Sequence, residues 1–425
     1  MKTVRNIFNN YMASRAAQRT AYKFLIKYPT PVNFNYFYNF GSLAGLFLVI
    51  QILSGFFLTF FYTPHVDHAF DSVEHIMRNV NYGWFIRYMH SNGASFFFLT
   101  VYLHIMRGLY YGSYKRSRKL VWYSGIIIYI LMMATAFLGY VLPWGQMSFW
   151  AATVITNFLT VIPYVGKDLL YWVWGGSSIQ NATLGRIFSL HFILPFVIVV
   201  IVMLHILIKK STGGSGNPLG LNAKTVHKIS FYPYFIVKDI FGIILILILF
   251  IYVLCYFPDY LGHSDNYIRA NPQVTPSHIV PEWYFLPFYG ILRSISSKTY
   301  GIIIMFVSLF SFFLLPFLDT MAIRNPVRQS IMRHIIFVFL ILGYLGSMPA
   351  TDTTVYMGLL LSHYLLYLFY FSLPYHSMKE RIREEKCRKH VEAFFRIVKE
   401  DERILKEIEE EERKKDKINT DNNLK

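Results

Sequence analysis

His90 and His104 stand fourteen residues apart, and His191 and His205 repeat that interval. Each pair lies in an apolar stretch, residues 84–111 and 186–208. On an α-helix fourteen residues rise about 21 Å and turn about 40° short of four full turns. Both histidines of a pair therefore look out from nearly one face. Neutral imidazole is a good axial ligand for haem iron, and an unpartnered imidazole in lipid is costly. Two such helices side by side would clamp one planar metal cofactor near each face of a bilayer, as a two-haem electron wire.

Glycine repeats the interval. Gly41 and Gly55 are fourteen apart, as are Gly125 and Gly139, each pair inside an apolar run. A helical glycine costs roughly 1 kcal/mol relative to alanine. Small residues serve close helix packing in lipid, but two pairs at the histidine interval point to a flat macrocycle approaching the backbone at each layer.

The elements that must position these residues are membrane spans. The 425 residues are 54% hydrophobic, and apolar runs occur at about 40–62, 84–111, 121–142, 187–208, 239–257, 299–317, 331–348 and 354–373. The expected fold is an all-α membrane protein with eight transmembrane helices, the first four forming a two-haem bundle. Residues 144–176, broken by Pro163 and the Gly175–Gly176 pair, read as surface helices. Four segments follow: 1–39 on the negative side, the haem bundle and its loop at 40–230, the C-terminal helices at 231–375, and a charged tail at 376–425.

The tail holds 14 of the 24 acidic residues against 15 Lys and Arg, so nearly all of the +17 net charge lies in the membrane body. There the cations gather in alternate loops, which excludes a nucleic-acid reading and sets orientation. One set holds Lys2, Arg5, Arg15, Arg19, Lys23, Lys27, Lys115, Arg116, Arg118, Lys119, Lys209, Lys210, Lys224, Lys228, Arg324 and Arg328. The opposite loops hold only Arg78, Lys167, Arg186, Arg269, Arg293 and Lys298. Both termini are expected on the negative side, cytoplasm or mitochondrial matrix. The second and fourth spans then run parallel, so His90 pairs with His191 and His104 with His205. Cys255 and Cys387 suggest neither a disulfide nor a thiolate metal site.

With these residues in view, the chain resembles the cytochrome b family, the membrane core of respiratory complex III. The likeness runs from about Pro29 to Pro374. It rests on Arg-Tyr-Met-His-Ser-Asn-Gly-Ala-Ser at 87–95, Arg-Gly-Leu-Tyr-Tyr-Gly-Ser-Tyr at 107–114, Gly-Tyr-Val-Leu-Pro-Trp-Gly-Gln-Met-Ser at 139–148, Leu-His-Phe-Ile-Leu-Pro-Phe at 190–196 and Pro-Glu-Trp-Tyr at 281–284. The resemblance implies two non-covalent b haems. His90 and His191 would bind the lower-potential haem on the positive side, His104 and His205 the higher-potential one on the negative side. Arg87, Arg107 and Ser113 would face haem propionates, a guanidinium pairing with a carboxylate at two points. Where the family often has tryptophan before the first glycine, Phe37 and Tyr38 stand here.

The resemblance places quinol oxidation at Pro281, Glu282, Trp283 and Tyr284, with Tyr140, Tyr289 and Ala151 in the pocket. Glu282 is one of only two glutamates in the body, and a desolvated carboxylate can accept a quinol proton. It places quinone reduction at Lys210, Lys238 and Asp239, with Lys210 standing where the family has histidine. It implies ubiquinone as substrate, a Rieske iron–sulfur protein, a cytochrome c-type subunit and other complex III subunits as partners, a homodimeric complex among membrane lipid, and the mitochondrial inner membrane. The function it implies is quinol–cytochrome c oxidoreduction coupled to proton translocation. His263 and His278 could meet partner subunits or carry protons, whereas His334 and His363 lack the interval and read as packing residues.

Two rival readings fail on the sequence. A nucleotide-oxidising two-haem reductase needs a soluble flavin domain that so few charged residues cannot build. A transporter has no use for matching glycine and histidine intervals. The tail, with Arg403 and Lys406 one turn before Glu407 and Glu410, reads as a long polar helix.

Ala151 occupies a position where the family commonly has glycine. Its methyl group should weaken methoxyacrylate-type inhibitors while quinol turnover is preserved. Inhibitor titration of wild type and Ala151→Gly checks this; tight inhibition of both alike would refute it.

Overall fold

The computed structural model describes residues 15, 22, 26–221 and 225–422, with side chains through 411 and at 413. Lys2, Arg5, Arg19, Lys23 and Lys224 lie outside the described residues. The described residues form thirteen α-helices, numbered in chain order. The spans are α1 (Phe40–Leu58), α3 (Gly83–Tyr110), α4 (Lys119–Val141), α7 (Asn181–Ser211), α8 (Tyr234–Tyr256), α10 (Lys298–Leu318), α11 (Pro326–Ser347) and α12 (Asp352–Tyr367). Among the described residues, seven helical stretches are long and apolar enough to cross a membrane, the last running through α12 into the tail. The exception is α3, which is long enough at 28 residues. Its polar residues include Arg87, His90, Asn92, His104 and Arg107.

Side chains at α-helical spacing explain how α3 is tolerated. Helix α1 lies along α3, and α4 lies along α7. A cluster of Phe47, Phe96, Phe98, Tyr102, Tyr129 and Phe250 fills the interior. Outward-facing residues of α7 and α8, such as Val200, Ile240 and Ile248, stay exposed as an apolar belt of the kind that lipid covers.

Surface elements connect the spans. Helices α5 (Gln146–Thr156) and α6 (Gly166–Trp174) occupy the segment expected to lie along the surface. Gly175 stops α6 at φ +73°, a conformation open to glycine. Three elements were not anticipated. These are the short helices α2 (Ala69–Arg78) and α9 (Leu286–Arg293), and an antiparallel pair, β1 (Pro29–Pro31) with β2 (Lys228–Ser230).

The tail is helical from Leu373 to Asn422 as α13. It continues α12 through a π-type turn at Leu368–Ser372, so the last span and the tail form one rod. Ser377 and Glu380 tie its first turns to the α10–α11 loop, Glu380 accepting from the Ala322 amide and from Asn325 Nδ2. Farther out, Arg403 pairs with Glu400 and Glu407, while Lys406 forms no ion pair with Glu410.

At the same end of the bundle the α10–α11 loop is held by a buried network. Asp319 receives Arg328 Nε at 2.7 Å and Lys115 Nζ at 2.7 Å, and also the Tyr114 hydroxyl. Arg328 donates further to the Leu109 and Tyr110 carbonyls that end α3. Arg328 is 0% exposed and Asp319 2%. One partner cannot be removed cheaply: Asp319→Ala leaves two buried cations without a carboxylate, a loss of about 3–5 kcal/mol. Thermal unfolding of the solubilised complex should show a clear drop in midpoint, and an unchanged midpoint would contradict this.

Candidate functional site

The four histidines meet in two layers. The rings of His90 and His191 are 6.1 Å apart between centroids, and those of His104 and His205 6.5 Å apart. Two imidazoles bonded at about 2 Å to opposite faces of one metal ion would have centroids about 6 Å apart. The first layer contains Gly55, His90, Gly139 and His191; the second contains Gly41, His104, Gly125 and His205.

The glycines do something more specific than admitting a macrocycle. A Cβ on Gly55 would lie 2.9 Å from His90 Cε1, and one on Gly139 2.5 Å from His191 Cε1. On Gly41 it would lie 3.1 Å from His104 Cε1, and on Gly125 3.3 Å from His205 Cε1. Each glycine makes room for one imidazole of the facing helix.

Hydrogen bonds at Nδ1 select the tautomer. Ser54 Oγ sits 3.0 Å from His90 Nδ1 while donating to the Ile50 carbonyl, so its lone pair accepts the ring proton. Ser124 does the same for His205 at 2.9 Å. The Thr135 carbonyl accepts from His191 Nδ1 at 2.8 Å. All three rings are left with a free Nε2 lone pair. Ser54 and Ser124 directly precede Gly55 and Gly125, a sequence signal that the fourteen-residue pattern alone overlooks.

His104 differs. Its Nδ1 faces Arg107 Nη2 at 3.1 Å, and a guanidinium can only donate. Ligation through Nε2 therefore needs Arg107 drawn away from Nδ1. Arg107 is 6% exposed, lies over the Tyr38 ring at 4.7 Å, reaches Ser113 Oγ at 3.3 Å, and leaves its Nε without a partner. It forms no ion pair among the described residues. A buried arginine without an anion fits a carboxylate-bearing cofactor. Arg118, which donates to the Ser113 carbonyl at 3.0 Å, adds a cation that the sequence reading did not single out.

The first layer opens into a large cavity shared by Arg87, His90, Tyr140, His191 and Glu282. Desolvation pushes the Glu282 carboxyl up to about 7, while the facing Tyr140 hydroxyl and Arg87 guanidinium pull it the other way. Trp283 donates from Nε1 to Ser95 Oγ at 3.0 Å, and Tyr284 stacks on Phe98 at 3.9 Å, so the loop is pinned on both sides of the glutamate. Asp259, bound by the Tyr88 and Tyr267 hydroxyls, forms part of the rim. Ala151 is buried in α5, and Tyr289 on α9 donates to the Ile279 carbonyl at 3.2 Å. Neither these two nor Pro281 and Trp283 are among the residues that line this cavity.

Beside the second layer, Asp239 accepts from Ser42 Oγ at 2.8 Å. Lys238 donates to the Phe34 carbonyl at 2.7 Å, which turns its ammonium over Tyr36. Lys210 reaches the Tyr28 ring at 5.5 Å. The cation that faces Asp239 and Arg107 is Lys209. Ser42 and Lys209 were thus missed, because each acts across helices far apart in sequence.

The family profile described as cytochrome b/b6/petB matches residues 25–213, and that of the C-terminal cytochrome b/b6/petD part matches 269–368. The chain belongs to the cytochrome b family. Cytochrome b of Rickettsia bellii is 56% identical over 352 residues, covering 82% of this chain and 88% of that relative. Cytochrome b of Phytophthora megasperma is 57% identical over 329 residues, covering 76% and 85%. A chain of a hyperthermophilic respiratory complex III superposes with TM-score 0.82 at 34% identity, covering 87% of this chain and 99% of the other. The chain is accordingly an integral membrane protein that carries haem b and acts as the catalytic core subunit of a quinol–cytochrome c oxidoreductase, transferring electrons within a multisubunit complex III.

The glycine geometry yields a graded test. Gly139→Ala, with the closest approach, should abolish or strongly perturb one b-haem signal and spare the other. Gly125→Ala, where the ring has more room, should act mildly on the other signal. Visible spectra of the reduced complex distinguish them; equal effects of both substitutions on one signal would contradict the layered arrangement.

Proposed function

We propose that the chain binds two b haems by paired histidines, His90 with His191 in the first layer and His104 with His205 in the second. The observation that carries this is the two imidazole pairs at metal-bridging separation, each ring backed by a glycine. The haems supply one-electron carriers of adjustable potential, lower in the first layer and higher in the second. Ser54, Ser124 and the Thr135 carbonyl hold three rings with Nε2 inward, and Arg107, Ser113 and Arg87 receive propionates.

Quinol binds in the cavity beside the first layer. Two protons leave quinol with its two electrons; Glu282 takes one of them, Tyr140 and Arg87 face its carboxyl, and Trp283 and Tyr284 fix the loop. One electron goes to a Rieske iron–sulfur partner, which passes it to a cytochrome c-type subunit. The two histidine pairs would hold the haems that carry the other electron toward ubiquinone beside Asp239, Lys238 and Lys210, two turnovers supplying the two electrons that its reduction needs. Asp239, oriented by Ser42, delivers a proton there. Taking up protons at one face and releasing them at the other couples the redox reaction to proton translocation. We place residues 40–230 as the haem bundle and 231–375 as the part completing the oxidation site. The alternation of basic loops supports both termini on the matrix side of the mitochondrial inner membrane, in a homodimeric complex among lipid.

Glu282 makes the reading testable. Its carboxyl is raised to about 7, so the basic form prevails above that pH and is lost as pH falls. Quinol oxidation should rise with pH through about 7. Glu282→Gln should flatten that rise and slow oxidation at pH 8 by roughly tenfold or more. Steady-state cytochrome c reduction across pH 5.5–8.5 (a range of about three units around that value) measures both, and an unaltered profile in the variant would sink the assignment.

A further inference from the structure

Each histidine of the second layer has a cation one turn farther along its own helix. Arg107 follows His104 by three residues on α3, and Lys209 follows His205 by four on α7. Both spacings bring the cation to the face of the imidazole. The two helices run parallel, so the cations converge at one end of the layer. The Lys209 ammonium acts on both His104 and His205 and faces Arg107. It forms no ion pair among the described residues.

The first layer is charged differently. Its cation is Arg87, and the α7 positions one turn before His191 are Ile187 and Phe188. Two carboxyl groups, Glu282 and Asp259, face Arg87. At the second layer the facing acid is Asp239, already engaged by Ser42 and flanked by Lys238. One cation meets two carboxyl groups at the first layer; at the second, Arg107 and Lys209 meet one, with Lys210 nearby.

We propose that Lys209 is a positioning residue for electron flow, its charge stabilising the added electron on the second-layer haem and so drawing electrons from the first layer to the second. The assignment rests on the two-haem reading above. A unit charge about 10 Å from a redox centre, at an effective dielectric constant of about 20, shifts the equilibrium by on the order of tenfold. For one electron that is about 59 mV.

The test is a redox-titrated visible spectrum of the membrane complex in wild type, Lys209→Leu and Lys209→Arg, with Lys209→Gln as a second neutral variant should the leucine form not assemble. The neutral variants should lower the midpoint of the second-layer component by the equivalent of about tenfold, leave the first-layer component in place, and keep both haems. Lys209→Arg should hold the wild-type midpoint. An unshifted second-layer midpoint in the neutral variants, or an equal shift of both components, would overturn the role. A single component in wild type would overturn the two-haem reading and this assignment with it.

Discussion

The close approach of helix backbone to imidazole is the constraint on which the molecule depends. At four positions a side chain is omitted from α1 or α4 so that a ring from α3 or α7 can lie against the backbone. Alanine would be the better helix former at each position, so the helices give up local stability to bring the rings within bridging distance. Because the gaps and the rings share one interval, a single register error would displace both layers at once. The Ser54 and Ser124 hydroxyls and the Thr135 carbonyl then act locally, turning rings whose positions the helix pairs have already set.

Polar chemistry inside an apolar bundle follows one rule with two outcomes. Where charge serves architecture it is fully satisfied, as at Asp319, Arg328 and Lys115, which tie the α10–α11 loop to the end of α3. Where charge lies at the proposed sites it is left incomplete. Arg107 keeps an unpartnered Nε, and Glu282 sits where desolvation holds its carboxyl near neutrality. Buried polar groups are expensive unless paired, which supports the proposal that Arg107 receives a cofactor carboxylate and Glu282 a substrate proton.

Much of this was legible in the chain because the signals are periodic. Hydropathy located the spans to within about six residues, the fourteen-residue intervals singled out four histidines, and the basic loops, by making the second and fourth spans parallel, paired them. The spacing of Gly41, Gly55, Gly125 and Gly139 drew attention to them, but not to the rings they face, since that relation exists only between helices. Short elements escaped: α2 and α9 are too brief for a clear periodicity, and the Pro29–Pro31 pairing with Lys228–Ser230 joins segments some two hundred residues apart. Ser42, Asp259 and Lys209 escaped for the same reason, their significance arising from contacts across the fold. Tyr289, Ala151, Pro281 and Trp283 lie near the expected region in sequence but are not among the residues that line the cavity.

The most direct test of the layered arrangement is a redox-titrated spectrum of the membrane complex in which each histidine in turn is replaced by leucine. The account predicts two b components in wild type. His90→Leu and His191→Leu should remove one and the same component, and His104→Leu and His205→Leu the other. Loss of the same component from His90→Leu and His205→Leu, or a single component in wild type, would contradict it.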